Sequence, residues 1–207
     1  MRKLVTITFV TLDGIMQAPG GPGEDDTGGF KSGGWSVNYW DDMMGQVMGE
    51  TFVKKPELLL GRRTYEIFAA YWPHAKDEPG ADNLNSAKKY VVSRTLDKVD
   101  WNNSTLIKGD VVKEITRLKG LDGPELQVHG SCNLIQTLLK HNLIDELHLW
   151  IFPVAIGNGK RLFGEDINPS NFKLLDSKTS STGVIIATYE QSGELKTGTF
   201  ALDNTKS

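Results

Sequence analysis

The sequence has little cysteine, no long apolar run and no excess of basic residues. Its one cysteine, Cys132, permits no internal disulfide, and no Cys/His spacing resembles a metal site, so we expect a metal-free protein of the reducing cytoplasm. The net charge of -3 argues against nucleic acid as a partner, because proteins that bind phosphate backbones usually present a basic face. The longest apolar stretch, residues 143–156, is interrupted by Asp145, Glu146 and His148 and is too short to span a membrane.

The composition is that of one folded domain. With 207 residues, 39% hydrophobic and 24% charged, the chain can form one sizeable core, which we assign to residues 1–191. The polar residues 192–207 predict a frayed or peripheral tail. Residues 17–38, here called the glycine-rich loop, contain two prolines and seven glycines and show no periodicity. A loop of this length is either a lid over a binding site or a disordered surface excursion.

Apolar periodicity predicts an alternation of strands and helices. The predicted strands are 4–12, 57–61, 89–93, 105–108, 126–129 and 144–152, with a terminal hairpin of 172–178 and 183–191. The predicted helices are 39–52, 63–71, 110–120 and 133–141. This order indicates a three-layer α/β/α sandwich with a mixed, mainly parallel sheet, since the terminal hairpin adds antiparallel pairing.

Ligands of open α/β sheets gather where parallel strands end and the following helices begin. The first such junction is "LLLGRRTYE", in which Gly61 admits a close approach, Thr64 offers a hydroxyl at a helix start, and Arg62 and Arg63 supply positive charge. The alternative is a tight turn at Gly61, a helix cap at Thr64 and two solvated arginines. This stretch alone does not distinguish the two interpretations.

The second junction is "YVVSRTL", where Ser93 and Arg94 follow a buried strand. Serine can bond a sugar or phosphate oxygen. Arginine suits a 2′-phosphate because its planar fork donates two parallel hydrogen bonds. By itself, Arg94 is equally compatible with an ordinary surface position.

The third junction is "HGSCNLIQTLL", in which small or polar residues separate a buried strand from a helix. Gly130 and Ser131 leave the first-turn amides unobstructed, so these amides can face a pyrophosphate. The alternative is an ordinary serine or asparagine cap after a glycine turn. The preferred interpretation of Cys132 is a small residue that fits the start of the helix. The alternative is a reactive thiolate stabilised by the helix start.

Together these segments resemble the dihydrofolate reductase-like superfamily, and more closely the C-terminal reductase domain of the bacterial riboflavin-biosynthesis deaminase/reductase. The resemblance also rests on "TITFVTLDGIM" at residues 6–16 and on "IDELHLWIFPVAIGNGKRLF" at residues 144–163, its most specific part. It implies a homodimeric, NADPH-dependent reductase with a sheet of about eight strands. The expected substrate is a small molecule, either a pterin- or pyrimidine-like heterocycle or a compound with a carbonyl or imine group, held beneath the glycine-rich loop.

Carried over by position, the resemblance assigns three groups of residues to the cofactor. The phosphates would lie at Gly61, Arg62 and Thr64, the ribose and its 2′-phosphate at Ser93 and Arg94, and the pyrophosphate at Gly130, Ser131, Cys132 and Asn133. The first strand and residues 13–15 correspond to the part that lines the nicotinamide.

The resemblance is incomplete at the catalytic acid. Dihydrofolate reductases carry an acidic residue on their first helix, where this chain has Gly45, with Asp41 and Asp42 about one turn earlier. We therefore do not expect folate reduction. The candidate proton donors are Asp13, at the end of the first strand, Asp41, and a bound water molecule.

Two further functions are compatible with the same sequence. One is a non-catalytic cofactor-binding or dimeric interaction protein, because a fold does not fix a function. The other is a flavin-binding reductase, for which a yellow purified protein would be the sign.

Overall fold

A computed structural model of the chain describes residues 1–75 and 77–200. This part contains eight strands and five α-helices. The strands are β1 (Leu4–Thr11), β2 (Glu57–Gly61), β3 (Lys89–Val92), β4 (Ser104–Ile107), β5 (Leu126–His129), β6 (Glu146–Phe152), β7 (Ser170–Thr179) and β8 (Ile185–Glu194). The helices are α1 (Asp42–Glu50), α2 (Arg62–Tyr71), α3 (Ala81–Ser86), α4 (Val111–Gly120) and α5 (Cys132–Lys140).

The strands form one sheet in the order β4-β3-β2-β5-β1-β6-β8-β7. All neighbouring pairs are parallel except those of β8, which runs antiparallel to both β6 and β7. The predicted mixed, mainly parallel sheet of about eight strands is confirmed. At one end of the sheet, the carboxyl ends of four neighbouring parallel strands therefore lie side by side, namely those of β3, β2, β5 and β1.

Helices cover both faces of this sheet, which explains why β1 is apolar on both sides. Leu4 and Val10 pack with residues of α4 and α5, whereas Val5 and Ile7 pack against α1 on the opposite face. On that same face, α2 and α3 cover β2 and β3. The three-layer α/β/α architecture is confirmed.

The main differences from the sequence-based prediction are two boundaries and one additional helix. The helix predicted for 39–52 begins at Asp42, because Asp41 has an extended backbone and accepts a hydrogen bond from the Met44 amide as the helix cap. The short helix α3 was missed because only Ala81 and Leu84 of its six residues are buried. β8 continues to Glu194, so residues 192–194 belong to the sheet and not to a tail. The rest of the predicted tail from 201 onward lies outside the described residues.

The glycine-rich loop packs onto the domain, which contradicts the alternative of a disordered excursion. Phe30 and Ala18 are buried with Ile15, and Trp35 lies against this cluster. The indole N–H of Trp35 also donates a 2.8 Å hydrogen bond to the carbonyl oxygen of Gln17. The loop thus has a small core of its own beside the end of β1.

Two kinds of feature are absent from the described residues. No helix in residues 1–75 or 77–200 combines the length and apolar character needed to cross a bilayer. The same residues contain no group of three or more His, Cys, Asp or Glu side chains arranged to hold a metal ion.

Candidate functional site

A serine hydroxyl joins the first and third predicted junctions. The Ser131 Oγ accepts a hydrogen bond of 2.9 Å from the Gly61 amide and donates one of 2.8 Å to the Thr64 Oγ1. Gly61 ends β2 and Thr64 lies in the first turn of α2, whereas Ser131 follows β5. Because β2 and β5 are neighbours in the sheet, the two helix starts lie side by side.

Neither of these helices has a side-chain cap. The N-cap residue of α2 is Gly61, and Ser131, the N-cap residue of α5, directs its hydroxyl to Gly61 and Thr64 instead of to the amides of its own helix. The interpretation of Ser131 as an ordinary helix cap is therefore wrong. Free first-turn amides and the positive ends of two helix dipoles form a place where an anion can bind.

The backbone at this junction requires small residues. Gly130 and Ser131 both have left-handed conformations, with φ of 57° and 67°. A Cβ atom on Gly61 would lie 3.2 Å from the Ser131 Cβ. Gly61 thus permits the first and third junctions to approach each other closely. The sequence-based interpretation is different, namely that Gly61 admits the close approach of a ligand.

The two arginines of α2 have different surroundings. The Arg62 Nη1 lies 3.3 Å from the Glu66 Oε1 on the helix surface. The Arg63 Nη2 donates to the carbonyl oxygen of Glu24 at 3.3 Å, and its Nε lies 4.0 Å from the Asp25 Oδ1. Arg63 is therefore the arginine that contacts the glycine-rich loop.

The second junction lies beside the first, since β3 pairs with β2. The buried Ser93 Oγ accepts hydrogen bonds from the amides of Thr95 at 3.1 Å and Leu96 at 3.0 Å, so the hydroxyl shapes the turn. Arg94 is exposed and makes no hydrogen bond or ion pair within the described part of the chain. Its guanidinium is free for an incoming ligand.

The first turn of α5 contacts a loop that follows β6. The Cys132 Sγ donates to the carbonyl oxygen of Arg161 at 3.1 Å, and the Gln136 Nε2 donates to the same oxygen at 2.7 Å. Burial raises the pKa of the Cys132 thiol to about 11, so this residue is a packed thiol and not a stabilised thiolate. Asn133 is exposed at the helix start.

Asp13 is a structural anion. Its Oδ1 accepts from the Thr11 hydroxyl at 2.5 Å and from the Ile156 amide at 3.2 Å, and its Oδ2 accepts from the Gly157 amide at 2.7 Å. The hydrogen bond from Thr11, followed by that from Gly157, lowers the pKa of Asp13 to about 2. A proton donor needs the opposite shift, so we do not retain Asp13 in that role.

Asp41 has a comparable structural position. Besides capping α1 through Met44, its carboxylate accepts from the amide of Ser181 at 2.9 Å and from its hydroxyl at 2.7 Å. These bonds, first that from Met44, lower the pKa of Asp41. Asp41 therefore fastens α1 to the β7–β8 turn, and we do not retain it as a proton donor either.

Sequence reasoning missed a polar cluster that connects the glycine-rich loop to the loop after β6. The Lys160 Nζ lies 2.5 Å from the Asp25 Oδ2, and the Lys160 amide donates to the Gln17 Oε1 at 3.0 Å. Burial opposes the charge of Asp25, but hydrogen bonds from Lys160 and Thr27 outweigh it and lower the pKa. The only signals were a basic residue after the glycines of "GNGK" and an acid within the glycine-rich loop.

Comparisons with known proteins identify the family of the chain. The model of the RibD C-terminal domain family matches residues 2–186. The uncharacterised protein YyaP of Bacillus subtilis is 31% identical over 198 residues, which cover 93% of this chain and 96% of YyaP. YwjB, another uncharacterised protein of Bacillus subtilis, is 24% identical over 180 residues, which cover 86% of this chain and 91% of YwjB.

Solved structures show the same fold. A protein of Shewanella sp. PV-4 assigned to riboflavin biosynthesis superimposes with a TM-score of 0.67 at 26% identity, covering 93% of this chain and 99% of that one. A pyrimidine reductase-like protein of Corynebacterium diphtheriae gives 0.60 at 14% identity, with 93% of each chain covered. The dihydrofolate reductase of Enterococcus faecalis, complexed with NADP(H), gives 0.56 at 15% identity, covering 91% of this chain and 96% of that one.

Proposed function

The chain belongs to the RibD C-terminal domain family, and from that premise we propose that it is an NADPH-dependent reductase of a small, pterin- or pyrimidine-like heterocycle. The observation that carries the proposal is the pair of uncapped helix starts joined through Ser131 at the ends of β2 and β5. This arrangement fits a pyrophosphate, because it offers free amides and two positive dipole ends with small residues around them.

Thr64 is suited to bind a phosphate oxygen. Its Oγ1 accepts the hydroxyl proton of Ser131, so its own proton remains available for an acceptor. Arg62 pairs with Glu66 only at the half-exposed surface, an interaction worth about 0.3–0.5 kcal/mol, and can turn to a phosphate at little cost. We propose that Gly61, Arg62 and Thr64 contact the cofactor phosphates.

The rest of the cofactor is assigned by position in the sheet. We propose that Gly130, Ser131, Cys132 and Asn133 surround the pyrophosphate at the start of α5. β3 lies two strands from β5, about 10 Å away at the usual strand spacing, which is consistent with Ser93 and Arg94 contacting the adenosine ribose and its 2′-phosphate. An arginine that binds a 2′-phosphate favours NADPH over NADH.

In the proposed reaction, bound NADPH supplies the hydride. The chain orients the cofactor along this end of the sheet. Because Asp13 and Asp41 are both held as anions, we propose a bound water molecule as the proton donor.

The proposed setting is a cytoplasmic homodimer that acts on a small molecule and not on nucleic acid or membranes. The family resemblance supports the dimer. Leu174 and Leu175, about half exposed on the edge strand β7, offer apolar surface for such an interface.

A thermal-shift titration with NADPH tests the proposal, because a ligand that binds the native state raises its melting temperature. Loss of NADPH absorbance is then followed with pteridines and ribitylated pyrimidines as substrates. No thermal shift would refute cofactor binding. Binding without oxidation of NADPH by any substrate would favour the second candidate, a non-catalytic cofactor-binding protein. The fixed, ionised states of Asp13 and Asp41 are the observation in favour of that candidate.

A further inference from the structure

Asp25 contacts cations from two separate elements. Its Oδ2 lies 2.5 Å from the Lys160 Nζ, and its Oδ1 lies 4.0 Å from the Arg63 Nε. Only 9% of the Asp25 side chain is exposed, compared with 35% for Lys160 and 45% for Arg63. A buried carboxylate of the glycine-rich loop is thus enclosed by two accessible cations.

These contacts place the glycine-rich loop across the end of β5. Lys160 lies beside the end of β1, because its carbonyl oxygen accepts a 2.9 Å hydrogen bond from the Met16 amide. Arg63 lies in the first turn of α2, at the end of β2. β5 lies between β1 and β2, so a carboxylate held by both cations lies near the start of α5. In agreement, Asp25 and Lys160 both act electrostatically on Cys132, the first residue of α5.

The closed conformation of the glycine-rich loop depends strongly on the Asp25 carboxylate. The Asp25 Oδ1 also accepts from the amide and hydroxyl of Thr27, at 3.2 Å and 2.7 Å, and the Gln17 Nε2 donates to the Asp25 carbonyl oxygen at 3.0 Å. Seven glycines give the released loop a large conformational entropy, which favours opening. Loss of the Asp25 charge should therefore shift the loop towards open states.

We propose that Asp25 is an autoinhibitory latch: its carboxylate holds the glycine-rich loop closed through Lys160 and Arg63 and competes there with the anionic group of the ligand. This inference rests on the proposed function in identifying that group as the cofactor pyrophosphate. Two anions cannot share the two cations and the helix start without repulsion. The cofactor pyrophosphate can therefore contact Lys160 and Arg63 only after the Asp25 carboxylate has moved away from them.

The chain contains its own reporter of loop opening. Lys31 is exposed and is the only lysine or arginine among residues 17–38, so trypsin cleavage after Lys31 follows the open population when reclosing is fast. We expect Asp25→Asn and Lys160→Gln to raise this cleavage rate by about tenfold or more, which corresponds to about 1.4 kcal/mol. Asp26→Asn is the matched control, because it removes the neighbouring exposed carboxylate, which makes no ion pair within the described residues.

Circular dichroism establishes that each variant is folded, and mass spectrometry counts only the scission after Lys31. If Asp25→Asn and Lys160→Gln are both cleaved at the rate of Asp26→Asn, the latch is refuted. If Asp25→Asn does not fold, the cleavage rate of Lys160→Gln decides the result, because Lys160 is more exposed than Asp25 and its substitution disturbs folding less.

NADPH binding tests the competition. Asp25→Asn should bind NADPH at least about fivefold more tightly than the wild type, whereas Lys160→Gln should bind it more weakly although its loop is also open. Equal or weaker binding by folded Asp25→Asn would refute the competition. If no variant binds NADPH, the proposed function and the competition both fail, but the cleavage rates, measured without cofactor, still decide whether Asp25 holds the loop.

Discussion

The backbone amide of Gly61 donates a 2.9 Å hydrogen bond to the hydroxyl of Ser131, seventy residues further along the chain. This contact fixes the start of α2 against the start of α5. Ser131 makes this contact while its own backbone is left-handed, with φ of 67°. That conformation costs a residue other than glycine about 1–2 kcal/mol. The hydroxyl and the unusual backbone therefore have opposite effects on stability, and substitutions can separate them.

Ser131→Ala removes both hydrogen bonds of the hydroxyl and keeps the strained backbone. We expect it to lower the free energy of unfolding by about 1–3 kcal/mol. Ser131→Gly loses the same bonds but relieves the strain, so it should be more stable than Ser131→Ala by about 1 kcal/mol. Urea unfolding of the three proteins measures both differences. Equal stabilities of the two variants would show that the backbone at this position is not strained.

Arg94→Ala tests which cofactor the chain prefers. If the free guanidinium binds the 2′-phosphate, its removal should weaken NADPH binding by about 1–3 kcal/mol and leave NADH binding nearly unchanged. Titration of both cofactors measures the ratio of their dissociation constants. Arg117→Ala removes an exposed arginine that pairs with Glu114 on α4, and it should change neither constant. An equal loss for NADPH and NADH in Arg94→Ala would show that this arginine does not bind the 2′-phosphate.

The sequence identifies local features of the site well. Apolar periodicity located the strands that end at Gly61, Val92 and His129, and the small residues after β5 pointed to the start of a helix. Such features depend on neighbours in the chain, which a single sequence displays. The direction of the Ser131 hydroxyl is different, since it depends on β2 and β5 being adjacent in the sheet.

Long-range polar contacts explain most of what the sequence did not reveal. Asp25 and Lys160 are 135 residues apart, and nothing in either segment identifies the other as its partner. Sequence position alone makes Asp13 and Asp41 candidate proton donors, because both lie at the ends of predicted secondary-structure elements. Their hydrogen bonds to Gly157 and Ser181 come from segments more than a hundred residues away. A carboxylate near a strand end therefore cannot be assigned to catalysis until its distant partners are known.

Cys132 should react slowly with thiol reagents in the folded protein. Burial raises the pKa of its thiol to about 11, so the reactive thiolate is scarce at neutral pH in spite of the helix start. As the only cysteine of the chain, it gives an unambiguous signal with Ellman's reagent. Because the thiolate fraction rises about tenfold per pH unit below the pKa, the rate should keep rising up to about pH 11, and it should reach the ordinary value in denaturant. Fast labelling of folded protein at neutral pH would contradict the raised pKa of the thiol.

Asp13→Asn should reduce stability in a pH-dependent manner. The hydrogen bonds to the Asp13 carboxylate hold its pKa at about 2, below the ordinary 3.8, so they stabilise the native state above about pH 4. This contribution is lost as the pH falls through about 2. The stability difference between wild type and Asp13→Asn should therefore shrink over that range. Asp122→Asn, which removes an exposed carboxylate elsewhere, is the control. A difference that does not vary with pH would mean that Asp13 is not a structural anion.

Lys89→Met tests an unusual buried cation. The Lys89 side chain is fully buried, and its Nζ donates to the carbonyl oxygens of Asn85, Ala87 and Asn102 at 3.1, 2.7 and 3.0 Å. Removal of this donor leaves three acceptors without a partner. We expect a loss of about 1–3 kcal/mol in the free energy of unfolding near neutral pH.

The pH dependence of this loss has a defined sign. Burial lowers the pKa of Lys89 to about 8 from the ordinary 10.5, so the unfolded chain holds a proton between these values that the native chain has released. Stability due to this group therefore rises with pH across that window, and the advantage of wild type over Lys89→Met should grow there. Lys88→Met, at the exposed neighbouring position, should show no such growth. A constant advantage would mean that the three carbonyl oxygens offset the burial and keep Lys89 protonated throughout.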